Sequence, residues 1–321
     1  MNVRHFRLRR SPEIDILRDA AAIEAEWWDL WSRDPAATPF QSPAWLMPWR
    51  RHFDQGETQI VCVRDQDGRL CALLPFFTHE GRLLLWGSGT GDRLDGLFAP
   101  VLEMGSLAAA MAALDAPADL FQLSGRSPLR RMRLPAGWSA RDGLSDPCAV
   151  LPLPAAASPN MESRLRYYRR RATRAGMGKP ERGTAADFPA LVELHRRRWA
   201  VRGEPGIFGD ARMANWLGEA SLRLEEAGML RLHFLRREDA TVAALLVLAA
   251  NGRSYDYIGG FDPELSSFGL GTILIGHAIE EAQREGHSAF DFLRGREPYK
   301  YRWGARDEPT HARLLLPGKP A

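Results

Sequence analysis

The chain has 321 residues, 45% hydrophobic and 26% charged, with 43 Lys and Arg against 40 Asp and Glu for a net charge of +3. That balance excludes a disordered chain, gives no ground for expecting a nucleic-acid partner, and allows two domains of ordinary size. Cys62, Cys71 and Cys148 have neither metal-ligand spacing nor an even disulfide framework, which points to a reducing cytoplasm and to no metal site. The N-terminus lacks the apolar middle of a signal peptide, and the longest apolar run, residues 242 to 250, falls short of the ~20 that cross a bilayer. Peripheral membrane contact is left open.

In chain order, residues 1 to 19 predict a short strand and a turn, and residues 20 to 31 a helix with Ile23, Trp27, Leu30 and Trp31 on one face. Ser42-Pro43 reads as an N-cap and first helical residue, so 43 to 52 is expected as a helix anchored by Trp45 and Trp49. Core packing is favoured over ligand stacking for this Trp cluster. Residues 60 to 64 and 70 to 77 flank Asp65-Gln66-Asp67-Gly68, a hairpin signal. A strand at 83 to 86 leads into GSGTGDRLDG, whose glycines open no helix; a turn or pocket lip is expected there rather than a phosphate loop. A helix at 106 to 114 and a strand at 119 to 123 follow.

Residues 151 to 160, rich in Pro and Ala, read as the crossing between two halves, 1–152 and 153–321. Residues 161 to 175 carry Arg164, Arg166, Arg169, Arg170, Arg171 and Arg174, which leave little room for an apolar face. A solvated linker helix is the first expectation, with an anionic substrate, a membrane surface and nucleic acid as competing readings. A helix at 187 to 199 turns Phe188, Leu191 and Leu194 inward; His195 on it is a packing histidine before it is a general base. A second helix at 211 to 226 and a hairpin at 230 to 236 and 242 to 250 complete the approach to the most informative stretch.

That stretch runs from Arg253 to Gly304. Tyr255 and Tyr257 alternate along a strand expected to break at Gly259-Gly260, and Asp256 lies between them. Ser267, Phe268, Gly269, Leu270, Gly271 and Thr272 then open a helix running to about Arg284. Two glycines there let backbone N–H groups come close to an anion. Residues 288 to 293 form an apolar strand that carries Asp291. Leu123, Gly125, Arg126 and Pro128 recur as Leu293, Gly295, Arg296 and Pro298 at a single offset, which together with the matching element order favours a duplication.

The spacing from Ser266 to Gly271 resembles Q/R-x-x-G-x-G/A, the coenzyme A loop of the GNAT acyltransferase superfamily, with serine at the position usually basic or amide. FDFLRGREPYKYRWG at 290 to 304 is similar to the closing motif of the cellulose-biosynthesis-associated GNAT branch. It also resembles the lysine-containing tail of the Fem-type aminoacyltransferases, which are double GNAT proteins. The resemblance implies an α/β fold with a mixed sheet and two tandem GNAT-like domains. It further implies acetyl-CoA or another acyl-CoA as co-substrate, held at residues 267 to 272 of the second half, and direct transfer to a small-molecule or glycan-precursor acceptor.

Attack on a thioester needs a base, donors for an oxyanion and a proton for the thiolate. Asp291 is the first candidate for base or amine anchor, with a structural pairing to Arg294 or Arg253 as the competing reading; Asp256 is the second. Tyr299, or Tyr301 in the other register, would protonate the thiolate. Lys300, by its likeness to the Fem-type lysine, would polarise the carbonyl or grip the acceptor, oriented by Glu297; as a surface lysine, the competing reading, it would do neither. Phe208, Glu204 and Tyr257 are expected in the acceptor pocket. Two other readings stay open: a noncatalytic partner in polysaccharide assembly, and aminoacyl transfer from charged tRNA.

Overall fold

The computed structural model describes residues 13–155 and 158–318. The first half contains β1 (Glu13–Leu17), α1 (Glu24–Arg33), α2 (Pro43–His52), β2 (Thr58–Arg64), β3 (Leu70–His79), β4 (Arg82–Leu85), β5 (Leu97–Phe98), α3 (Met104–Leu114), β6 (Ala118–Ser124), α4 (Pro128–Arg131) and β7 (Ser139–Pro152). The second contains α5 (Pro159–Arg174), β8 (Glu181–Gly183), α6 (Phe188–Ala200), α7 (Ala211–Glu226), β9 (Leu230–Arg237), β10 (Ala240–Ala250), β11 (Arg253–Phe261), α8 (Leu270–Arg284), β12 (Ala289–Arg294), α9 (Pro298–Arg302) and β13 (Arg306–Leu316). Of the segment expected as strand and turn at 1 to 19, residues 1–12 lie outside the described residues and β1 accounts for the rest.

The two halves share one mixed sheet, in the order β1-β2-β3-β4-β6-β13-β7-β12-β11-β10-β9-β8, with β5 on β3. The order shows an exchange. β7, the last strand of the first half, pairs with β12 of the second, while β13, the last strand of the second half, pairs with β6 of the first. The two exchanged strands pair with each other, antiparallel, from Arg306↔Val150 to Leu316↔Ser139. The repeat seen in sequence is the repeat of the fold: β6-α4-β7 and β12-α9-β13 match, and Pro128 and Pro298 each start the short helix.

The local expectations for α2 hold, down to Ser42 Oγ accepting from Trp45 N. The Trp cluster packs between the halves: Trp45 meets Trp216 edge-on at 4.6 Å and Tyr257 at 5.0 Å. Glu219 of α7 accepts from Arg51 and lies 2.9 Å from His52 Nε2 of α2. One buried cluster runs through both halves.

Two expectations are corrected. α5 is docked rather than a solvated linker: it buries Met161, Leu165 and Ala172 beside α8, and Arg169 makes a two-bond pair with Glu280 at 2.9 and 2.8 Å. Small and flexible residues between the arginines supply the narrow apolar stripe. β11 does not stop at Gly259; it runs through both glycines to Phe261. A Cβ on Gly260 would lie 2.5 Å from His195 N, so the glycine permits close approach of α6 and marks no turn. Among the described residues, no helix is long and apolar enough to cross a membrane.

Candidate active site

β11 and β12 are paired in parallel from Arg253↔Ala289 to Tyr255↔Asp291, and after that they part. A cavity of about 490 Å³ opens in the gap, with Asp256 to Phe261 on one wall and Phe292 to Arg294 on the other. Amides of β11 that point away from β10 face this gap.

The alternation of β10 places the two neighbouring helices. Ala244, Leu246 and Leu248 join the cluster of α6, whereas Ala243, Leu245 and Val247 join that of α8. Successive strand residues point to opposite faces, so α6 and α8 cover opposite sides of the sheet. The cavity is thus open to α8 on one side, through Gly269, Leu270, Gly271 and Thr272, and to α6 on the other, through His195, Arg198 and Trp199.

Gly269, with φ of +67°, is the N-cap of α8, and no side chain caps this helix start. The first amides of a helix have no partner within it and carry the positive end of its dipole. A Cβ on Gly271 would meet open space, whereas Gly269 is covered by the Tyr168 ring, 2.6 Å from where its Cβ would be. Ser267 and Phe268, expected in the same cradle, do not line the cavity. Arg171 of α5 donates to Ser267 O at 3.0 Å, and its guanidinium lies 4.7 Å over the Phe268 ring.

Asp256, Tyr257, Glu297, Tyr299 and Lys300 all line the cavity. Asp256 is 9% exposed. Burial pushes its carboxyl up to about 7 against the opposing charge of Lys300. Burial, reinforced by the charge of Asp256, raises the Tyr299 hydroxyl, which therefore keeps its proton. Lys300 is 3% exposed, and its Nζ donates to Arg294 O at 2.6 Å and lies 2.9 Å from Glu297 Oε2. Leu293 O and Gly295 O, both at 3.4 Å, complete the surroundings, so the ammonium ties down the loop between β12 and α9. The Tyr257 ring forms a wall while its hydroxyl donates to Thr90 O at 3.0 Å. Tyr301 points elsewhere, donating to Asp307 at 2.6 Å.

Besides Ser267 and Phe268, three further expected residues are not brought to the cavity. Asp291 is 0% exposed and lies on the paired side of the splay, with Arg93 Nε at 2.5 Å and Arg253 Nη1 at 3.7 Å. Its surroundings are those of a structural ion pair. Phe208 is buried edge-on against His195 at 4.9 Å, and Glu204 sits in an exposed loop. Sequence reasoning missed Arg93, Asp92 and Arg198. Asp92 lines the cavity from the first half and lies 3.3 Å from Arg294 Nε, so GSGTGDRLDG is a pocket lip.

A wider, open groove of about 1170 Å³ runs between α5 and α9, lined by Arg164, Tyr167, Arg170 and Arg302, and shares Arg164 and Arg302 with the cavity. Among the described residues no group of three or more His, Cys, Asp or Glu could hold a metal ion.

Residues 159–301 match the family described as Acetyltransferase (GNAT) domain. The second half is thus similar to a GNAT acetyltransferase domain. The GNAT match covers α5 to α9, and therefore the whole splay and both helices that flank it. No curated protein matches the chain in sequence. In fold it is similar to FemX, with a TM-score of 0.64 and 13% identity over 94% of this chain and 96% of that one. It is likewise similar to the C-terminal domain of a putative lysylphosphatidylglycerol synthetase from Agrobacterium fabrum, with a TM-score of 0.61 and 12% identity over 92% of each chain. A tandem GNAT protein from the clavulanic acid biosynthesis pathway gives a TM-score of 0.50 and 12% identity over 97% of this chain and all of that one. At these identities the likeness is one of fold.

Proposed function

We propose that the chain transfers an acyl group, acetyl in the simplest case, from coenzyme A to an amine or hydroxyl of a small-molecule or glycan-precursor acceptor. The observation that carries this reading is that one cavity contains both the uncapped start of α8 and the parting of β11 from β12. Bare helix amides beside the open Gly271 position, with Arg164 and Arg302 near them, suit the phosphates of the donor. The thioester then lies along the splay.

Asp256, whose carboxyl titrates close to neutrality, takes the proton from the attacking nitrogen or oxygen. The new bond forms at the thioester carbon while amides of β11 facing the gap donate to the developing oxyanion. As the carbon–sulfur bond breaks, Tyr299 gives its proton to the thiolate. Lys300 and Glu297 position the Tyr299 helix start. Loss of thiol release from acetyl-CoA in Asp256→Asn, with folding intact, tests this assignment; unchanged turnover in that variant would move the base to another group, and no thiol release by the wild type with any acceptor would favour a noncatalytic role in polysaccharide assembly. The tail FDFLRGREPYKYRWG supports a setting in envelope or exopolysaccharide metabolism.

One observation favours a second reading, aminoacyl transfer from charged tRNA. Tyr168 and Arg171 cover part of the α8 loop, and the groove beside it offers arginines and an exposed Tyr167. The likeness in fold to FemX agrees with it. Competition between CoA and a tRNA acceptor end for the protein separates the two.

A further inference from the structure

His195 and Arg198, on one face of α6, both line the cavity, and each has a buried polar atom without a hydrogen-bond partner: Nδ1 of His195 and Nε of Arg198. The residues are three apart, hence neighbours on the helix surface. We propose that they seat an oxyanion carried by the acceptor, a carboxylate or a phosphate, so that the substrate is an anionic amine or alcohol and not a neutral sugar. This rests on the acyltransferase reading of the same cavity and narrows it.

Arg198 stands apart from the arginines beside it. Arg197 pairs with Asp262 at 2.9 Å and Arg196 donates to Phe208 O at 3.1 Å. Arg198 forms no ion pair among the described residues. Its guanidinium is held 4.7 Å over the Phe261 ring, with Nη1 3.5 Å from Gly259 O. That contact occupies one edge of the fork and leaves Nε without a partner. A half-buried cation without a counter-charge is a ready partner for an anion that enters beside it. The planar fork matches two oxygens of a carboxylate or phosphate.

The charges facing Arg198 do not fill that role. Arg202 repels it, and Tyr299 is protonated. Asp256 is under the influence of Lys300 and Glu297 instead. His195, 4% exposed and enclosed by Trp199 and Phe208, is neutral and has one ring nitrogen to offer beside the fork. Position supplies the remaining argument. α6 lies on the face of the sheet opposite α8, so an anion bound there belongs to the acceptor side of the gap, across from the donor's phosphates.

The test uses the full chain and two matched pairs of probes, N-acetylglycine with N-acetylglycinamide, and glucosamine 6-phosphate with glucosamine. Binding is read by thermal shift, with CoA titrated separately. The expected result is a shift with an anionic member of a pair and not with its neutral partner. Arg198→Gln should weaken that response at least tenfold and Arg198→Lys should keep part of it, while both retain the CoA response. Should Arg198→Gln fold poorly, His195→Asn supplies a second lesion, with a smaller loss confined to the anionic probes. Equal response to both members, no response to any probe, or an anion preference that survives Arg198→Gln would overturn the proposal. So would loss of the CoA response in Arg198→Gln, which would assign the arginine to the donor. A wild-type protein that prefers the anions yet ignores CoA would defeat the donor reading and leave this site standing.

Discussion

Arg93 and Asp291 are 198 residues apart in the chain and 2.5 Å apart in the fold, Nε to Oδ2, with the carboxylate sealed from solvent. Arg93 also holds Glu308 of β13 at 2.6 Å, and Glu308 in turn takes Arg253 of β11 at 2.8 Å. The first half thereby fixes the last point at which β11 and β12 remain paired. The width of the gap beyond it depends on residues that never reach the cavity.

Removing Arg93 leaves the buried carboxylate of Asp291 with only the more distant Arg253, at 3.7 Å, so Arg93→Met should cost up to about 3–5 kcal/mol of stability in urea denaturation. Replacing both, as Arg93→Met with Asp291→Leu, should recover most of that loss. A single variant as stable as the parent would show the pair to be dispensable.

Asp256 acts as a base only when ionised. With its carboxyl raised to about 7, kcat/KM should climb as pH increases through neutrality and level off above it. Asp256→Asn should lower kcat/KM by roughly 10²–10⁴ and abolish this rising limb. Persistence of the limb in the variant would assign it to another group.

Burial holds His195 down to about 4 and His233 down to about 3, from an ordinary value of 6.5. The native state keeps both neutral while the unfolded chain takes up protons below that ordinary value. The contribution to stability is therefore complete above pH 6.5 and is lost as pH falls toward the folded values. Each histidine should add about 1.4 kcal/mol per pH unit to the slope in that window. His233→Gln should flatten the slope by one such share between pH 6 and 5; an unaltered slope would contradict the assignment.

The strand exchange makes a prediction about the halves. Expressed alone, residues 1–152 leave β6 without β13, and residues 153–321 leave β12 without β7, so each exposes a sheet edge. Separate halves should aggregate, and co-expressed halves should purify as one complex. A soluble, cooperatively folding half on its own would refute this.

Much of the fold was legible locally. Ser42-Pro43, the Asp65 to Gly68 turn and the periodicity of residues 211 to 226 carry their signals within a few residues. β7 and β13 were missed because their partners are over a hundred residues away and their exposed faces, with Gly143, Pro147 and the charged start of β13, look like loop. The site divided in the same way. Gly269 and Gly271 announce a bare helix start, yet Asp256 and Asp291 look alike in sequence, as carboxylates in apolar strands. Only their placement on either side of the splay separates a cavity residue from a clamp. Arg198, one of three adjacent arginines, has no local mark at all.

The most direct test is calorimetric titration of CoA into the wild-type protein and into Gly271→Val. The added side chain projects into open space, so the fold should be kept while the approach to the α8 amides is blocked. The expected result is saturable one-to-one binding by the wild type, weakened by about tenfold or more in the variant, a loss of at least about 1.4 kcal/mol. Absence of CoA binding, or equal affinity in both proteins, would contradict the claim that this helix start holds the donor.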